Sequence, residues 1–372
     1  MAELRHASAE ILEGWLFKRG KLGFSKKKKY VRLESQMLQV STDVRDRAGA
    51  SYCMNDAKII GNPASLVMKM VIEGKPLTLI AQTKTDYESW YEAFKKAACS
   101  NVEEYYELGE LLGEGAFAKV VLGVDRSTLE KCAVKIINKA DTEQENEMDF
   151  IHRELRIMKT VNHPNLIRTH DIFDTKKELY IVMEYMPGGT LADAMKRKVL
   201  RTEKQVREVM REIIRGVQYL HAKHIVHRDL KLKNILCKNN EVPLEVKLAD
   251  FGLSNFVGVR TMSRVKLVSQ VGSPHYVAPE VLREMPYGSA VDMWSCGVIL
   301  HIMLTGKYPF AGGTIKETLE LVSFGNFQMQ GSEWNHVSAD AKDFIIKLLL
   351  ENHKDRLTAD QALEHPWLSG SS

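Results

Sequence analysis

The chain has 372 residues, 44% of them hydrophobic and 27% charged, with a formal net charge of +4. That length supports two domains whose cores need no staples, and the composition excludes a disordered or fibrous chain. No run of about 18 apolar residues is present and the start MAELRHASAEILEG lacks the apolar core of a signal peptide, so the sequence predicts a cytoplasmic protein with no transmembrane segment.

The first hundred residues alternate as short strands: EGWLFKRG, KKKYVRLES, QMLQVSTD, AKIIG, SLVMKMVIEG and KPLTLIAQ, separated by Gly20, Gly61–Asn62–Pro63 and Gly74. The segment DYESWYEAFKKAAC then places Tyr87, Trp90, Tyr91, Phe94 and Ala98 at helical spacing. Six or seven strands and a closing helix predict a small barrel or sandwich capped at one end. These residues hold 17 Lys/Arg against 11 Asp/Glu, and the remainder 35 against 37, so the positive charge belongs to this quarter and an anionic partner is expected there. Cys53, Cys99, Cys132, Cys237 and Cys296 lie far apart without a CxxC, which predicts reduced thiols and argues against a zinc site.

After the short linker SNVEE the pattern restarts. YYELGELLGEGAFAKVVLGV, KCAVKIIN and ELYIVMEYM read as strands, 143–160 as a helix, and helices dominate from about residue 190. The linker keeps the closing helix, with Trp90 and Phe94, near Tyr105 and Tyr106, since five residues span at most roughly 18 Å. On that proximity the cationic hairpin is expected to lie against the acidic-leaning remainder of the chain and restrain it until an anionic surface competes for the same lysines.

Glycines in GEGAFAKV (113–120) open a turn in which backbone N–H groups can approach a phosphate. Lys135 in AVKI follows at a distance suited to a neighbouring strand, and Glu154 lies in the predicted helix, where a carboxylate would hold the long lysine side chain in place. HRDLKLKN (227–234), DFG (250–252) and APE (278–280) come next, in that order. This ordered set resembles the protein kinase superfamily across residues 106–368. The resemblance implies a bilobal kinase fold, with a small lobe over 106–186 and a large lobe over 187–368. It also implies ATP and Mg²⁺ as cofactors and protein substrates, with no nucleic-acid partner.

Position by position, the resemblance makes Gly113 and Gly115 cover the nucleotide phosphates and Lys135, paired with Glu154, hold the α and β phosphates. Leu112, Val120, Ala133, Met183, Glu184 and Met186 line the nucleotide, with Met183 as gatekeeper. Asn234 and Asp250 hold Mg²⁺, Asp229 orients the substrate hydroxyl and accepts its proton, and Lys231 neutralises charge on the moving phosphoryl group. Asp292 in DMWSCG braces the catalytic loop and Arg356 pairs with Glu280. Ala118 departs from the family's third glycine. GSPHYVAPE and HPWL resemble the calcium/calmodulin-dependent-kinase-like group of Ser/Thr kinases, and Lys231 supports Ser/Thr over Tyr specificity. A catalytically weak scaffold that keeps the fold is the alternative, although the Lys, HRD and DFG positions are intact.

Basophilic members of that group carry acids where this chain has Thr190 and Lys233, so little preference for substrate arginine is expected. In the activation segment, Ser269 falls at the usual phosphorylation position, facing Arg228, and Ser273 at the residue that contacts Asp229 and Lys231. Over residues 10–100, EGWLFKRGKLGFSKKKKYVRL and Trp90 resemble a pleckstrin homology domain, with a domain order similar to protein kinase B. That resemblance places Lys18, Lys27 and Lys29 at an anionic phospholipid or phosphoinositide site and implies recruitment to a membrane surface. The fold class expected is therefore α+β, a PH-type β-barrel or sandwich with a closing helix followed by the kinase fold.

Overall fold

The structure, a computed structural model, describes residues 11–370 except 21–24, 35, 45–48, 55–56, 73, 99–100, 116–117, 140–160, 176, 251–254, 257–273, 284, 286 and 326. Two compact units are present: Met1–Glu145 with Arg168–Tyr185, and Asn146–Ile167 with Met186–Ser372. The predicted helix over 143–160 lies outside the described residues.

The first unit holds two antiparallel sheets. Strands β1 (Ile11–Arg19), β2 (Lys26–Glu34), β3 (Met37–Ser41), β4 (Ala50–Cys53), β5 (Lys58–Asn62), β6 (Val67–Ile72) and β7 (Lys75–Ile80) form a seven-stranded sheet ordered β4-β3-β2-β1-β7-β6-β5. The short strand β4 was not foreseen, because ASYC carries too little alternation to register as a strand. Of the expected barrel or sandwich, a barrel is not closed: β4 and β5 are the two edges of the sheet, and among the described residues no pairing joins them. Just after β4, Met54 N donates to Gln36 O at 2.7 Å, and Ala57 N donates to Met54 O at 2.9 Å before β5 begins.

Alternation builds the core of this sheet. Leu16, Val31, Leu33, Leu38, Val40, Met68, Met70, Ile72, Leu77 and Leu79 are buried, while Met37, Gln39, Lys69 and Val71 between them are exposed. Helix α1 (Lys84–Ala98) closes over it with Tyr87, Trp90, Phe94 and Ala97, a spacing of three and four residues that makes one face. Thr83 Oγ1 accepts from Asp86 N at 3.0 Å at its start, and Lys95 and Lys96 in the last turn complement the helix dipole. Gly61 on β5 is where the helix comes nearest: a Cβ there would lie 2.2 Å from the Tyr87 hydroxyl and 2.5 Å from the Tyr91 ring.

The second sheet is five-stranded, ordered β11-β12-β10-β9-β8, from β8 (Tyr106–Glu114), β9 (Ala118–Asp125), β10 (Lys131–Asn138), β11 (Thr169–Asp174) and β12 (Glu178–Glu184). One face carries Val121, Val134, Ile136 and Val182 into a core with Val102, Tyr106, Cys132 and Phe173.

The second unit is mainly helical, and the two-residue strand β13 (Gly189–Thr190) precedes its first described helix. Helix α2 (Leu191–Lys196) and helix α3 (Glu203–Ala222) both begin with reciprocal capping boxes, Thr190 with Asp193 and Thr202 with Gln205. After helix α4 (Pro279–Leu282), helix α5 (Ala290–Thr305) is buried on all sides from Val291 to Leu304, as an apolar sequence without a polar face requires. Gly297 lets the chain at Leu348 and Leu349 approach it, since a Cβ would lie 2.8 Å from the Leu349 side chain. Burial raises the Cys132 thiol to about 12 and the Cys237 thiol to about 11, and it also pushes up Cys296, so these three are core residues without thiolate chemistry. No helix among the described residues is long and apolar enough to cross a membrane.

Candidate active site

Within the second unit, HRDLKLKN runs from strand β14 (Ile225–Val226) through a 3₁₀ turn (Leu232–Asn234) into strand β15 (Ile235–Cys237). Strand β15 pairs antiparallel with β16 (Val246–Leu248), Ile235 opposite Leu248. That hairpin is why residues sixteen apart meet: Asn234 precedes one strand, Ala249 and Asp250 follow the other, and Ala249 N donates to Asn234 O at 2.8 Å. The buried His227 ring adds a second tie, its Nε2 lying 3.2 Å from Ala249 O while Nδ1 accepts from Asp229 N at 3.4 Å.

The Asp229 carboxylate is held from two sides. Lys231 Nζ donates to Oδ2 at 2.8 Å and to Oδ1 at 3.0 Å, and Asn234 Nδ2 donates to Oδ2 and to the Asp229 carbonyl, each at 2.8 Å. With its amide nitrogen committed to Asp229, Asn234 keeps its carbonyl oxygen as an acceptor. That oxygen and the exposed carboxylate of Asp250 are hard donors, the type Mg²⁺ takes when most of its shell is water and substrate phosphate. The residues present therefore fit that ion.

Two residues of this site carry backbone strain. Arg228 and Asp250 have φ of 69° and 65°, a left-handed conformation that costs a side-chain-bearing residue of order 1–2 kcal/mol. Asp292, at the start of α5, holds the first of them: Oδ2 accepts from His227 N at 2.9 Å and Oδ1 from Arg228 N at 2.8 Å, with His221 Nε2 also 2.9 Å from Oδ2. Burial pulls the Asp292 pKa upward, but the His221 contact, the two histidine rings and the Arg228 amide outweigh it and leave it below the usual carboxylate value. Arg356 makes the expected pair with Glu280 at 2.7 and 3.0 Å, both side chains fully buried, and lies 5.0 Å from the Trp294 ring centre. A small, partly open pocket lies beside Asp229, lined by Arg228, Tyr276, Val281, Tyr287 and Ser295.

Next to this loop, α2 packs on the Leu232–Asn234 turn. Lys233 is exposed between the buried Leu232 and Asn234. Thr190 is the N-cap of α2, its hydroxyl 2.6 Å from Asp193 Oδ2, and that hydrogen bond, ahead of an opposing desolvation, lowers the Asp193 pKa. Sequence reading noted the missing acid at Thr190 and passed over this carboxylate three residues on, which the T-x-x-D capping pattern signals. His227 was likewise read only as part of the HRD motif.

In the first unit, the register of β9, β10 and β12 puts Lys135 opposite Val120 and Ile181, and Ala133 opposite Leu122 and Met183. Cross-strand partners share a face, so Val120, Ala133, Lys135 and Met183 stand together on the face turned away from Val134 and Ile136. Gly113 and Gly115 sit exposed at the β8–β9 turn, where Gly115 N donates to Ala118 O at 2.8 Å. Leu112 precedes them on β8 and Glu184 ends β12, with its Oε1 accepting from Arg168 N at 2.7 Å. Met186 is buried in the second unit. Glu154, Ser269 and Ser273 lie outside the described residues.

A family model described as "Protein kinase domain" matches residues 106–368. The chain is 42% identical over 273 residues to myosin light chain kinase A of Dictyostelium discoideum, covering 73% of this chain and 91% of that protein. It is 36% identical over 282 residues to death-associated protein kinase 2 of Mus musculus, covering 75% and 74%. To calcium/calmodulin-dependent protein kinase type 1 of Macrobrachium nipponense it is 36% identical over 272 residues, covering 73% and 77%.

Proposed function

The chain belongs to the protein kinase family and is an ATP- and Mg²⁺-dependent serine/threonine protein kinase, and on that premise we propose how its own residues divide the reaction. Asp229 orients the acceptor hydroxyl and takes its proton as the oxygen–phosphorus bond forms and the bond between the β–γ bridging oxygen and the γ-phosphorus breaks, releasing ADP. Lys231 offsets charge gathering on the transferred group. Lys135, held by Glu154, fixes the α and β phosphates, and Gly113 and Gly115 form the turn that covers them. Leu112, Val120, Ala133, Met183, Glu184 and Met186 surround the base. Asn234 and Asp250 would hold Mg²⁺, which supplies charge neutralisation on the phosphate oxygens when bound. Phosphate on Ser269 draws the activation segment to Arg228, with Ser273 near Asp229.

The observation that carries this reading is the Asp229 carboxylate fixed by Lys231 and Asn234 beside the hairpin that delivers Asp250. Calorimetric titration with ATP, with and without Mg²⁺, tests it. Asp250→Asn should abolish the gain in affinity that Mg²⁺ brings and Lys135→Met should weaken ATP binding at least about tenfold, the loss of one charge-assisted contact of about 1.5–3 kcal/mol. Wild-type titrations from both variants would refute the assignment.

The N-terminal region, residues 10–100, is read as a pleckstrin-homology-like domain that takes anionic phospholipid or phosphoinositide headgroups and recruits the kinase, residues 106–368, to a membrane surface. What supports this is the β1–β2 register. Lys18 lies opposite Lys27 and Leu16 opposite Lys29, so these lysines continue the face that Leu16, Val31 and Leu33 bury. The apolar core face thus ends in a cationic mouth beside the hairpin tip. Among the described residues Lys18, Lys27 and Lys29 make no ion pair, which leaves their charge for a ligand.

A further inference from the structure

The stretch matched by the kinase family begins at residue 106, yet the last turn of α1 reaches the five-stranded sheet. Lys96 Nζ lies 2.6 Å from Asp171 Oδ2, and it also sits 5.7 Å from the ring centres of both Tyr105 and Tyr106. The Tyr106 hydroxyl donates to the same carboxylate oxygen. Burial, with the charge and hydrogen bond of Asp171 adding to it, pushes the Tyr106 phenol far above its ordinary pKa, so it stays a donor. A second tie lies three residues on, where Asp174 N donates to the buried Gln36 Oε1 at 3.1 Å.

Both ties end on β11, the edge of its sheet. An edge strand has ladder bonds on one side only, so its position depends on what packs against its outer side. From β11 the connection inward is short. Asp171 pairs with Val182 on β12, β12 carries Met183 and pairs Ile181 with Lys135 on β10, and the Asp174 carboxylate is paired with Lys139 at the end of β10. We propose that Lys96 and Gln36, both outside the kinase-matched segment, are positioning residues for phosphoryl transfer. They clamp β11, and through β12 and β10 they set the face that carries Val120, Ala133, Lys135 and Met183. The N-terminal region thereby supports the kinase sheet. The inference rests on reading that face as the nucleotide site.

The test is a double-mutant cycle in the full chain, with KM for ATP and kcat measured on a generic protein substrate for wild type, Lys96→Met, Asp171→Asn and the double variant. Methionine keeps the apolar stem and asparagine keeps an acceptor for Tyr106, so each change removes the ion pair with little change of shape. Each single variant should raise KM for ATP about three- to tenfold with kcat nearly unchanged, and the double should be no worse than the worse single. Lys96→Arg should restore wild-type KM, and since it keeps the charge it also guards against a variant that merely fails to fold. An unchanged KM in the singles, effects that multiply in the double, or an arginine variant as poor as methionine would each overturn the proposal. Lys135→Met in the same assay separates the two readings: wild-type KM there removes the nucleotide face itself, whereas its loss beside a silent Lys96→Met removes only the clamp.

Discussion

Single residues decide whether the loop around Asp229 keeps its shape. Asp292 and Arg356 were legible from their motifs because the kinase pattern fixes their spacing, and the structure places both as expected. Thr190 and Asp193 were less legible, since a capping box and a lost substrate-binding acid give the same threonine; only the geometry of the pair separates them. Arg356 also satisfies carbonyls of Ala290 and Leu350, so it ties α5 to the chain near residue 350. Removing it leaves the Glu280 carboxylate buried without its cation, which costs about 3–5 kcal/mol. Arg356→Leu should lower unfolding stability by about that much in denaturant titrations, and adding Glu280→Leu should recover part of the loss. A single variant within about 0.5 kcal/mol of wild type would mean that the pair contributes little.

Among the elements, the β15–β16 hairpin brings Asn234 and Asp250 together within the second unit, and the β9–β10–β12 register groups Val120, Ala133, Lys135 and Met183 within the first; the strands of that register were legible as apolar segments, whereas ILC and VKL were too short to read. Strand β11 was missed because THDIFD mixes polar and apolar residues without a clean period, its burial being set by packing on both sides of an edge. The open seven-stranded sheet could not be told from a barrel, because closure depends on long-range pairing of β4 with β5 that no local pattern encodes. The β1–β2 hairpin supports a direct prediction for the lipid reading. With each lysine near an anionic surface worth about 1 kcal/mol, changing Lys18, Lys27 and Lys29 together to Ala should weaken sedimentation with phosphatidylserine vesicles on the order of a hundredfold at low salt. Equal sedimentation of wild type and variant, or equal binding to neutral vesicles, would end the membrane reading.

At the scale of the whole molecule, pH reports how the fold treats its histidines. Burial lowers the pKa of His163, His170 and His301, with nearby cations adding at the first two. A depressed folded pKa means that the stability linked to neutral imidazole is full above the unfolded value of about 6.5 and is lost as pH falls through the lower folded value. Urea midpoints should therefore hold between pH 7 and 8 and decline below about pH 6.5, with His301→Asn flattening that decline; a midpoint that rises on acidification would contradict the assignment. Charge asymmetry between the first hundred residues and the rest was plain in the composition, and the kinase identity in the order of its motifs. The clamp of α1 on β11 was not, since Lys96 and Asp171 are 75 positions apart and each reads alone as an ordinary surface charge. Whether Asp229 carries the proton transfer is read from transfer of labelled γ-phosphate from ATP to serine or threonine of a protein substrate by wild type and Asp229→Asn. Mg²⁺·ATP binding should stay near wild type in the variant while turnover falls at least about a hundredfold; equal incorporation by the two proteins would show that Asp229 does not take the proton.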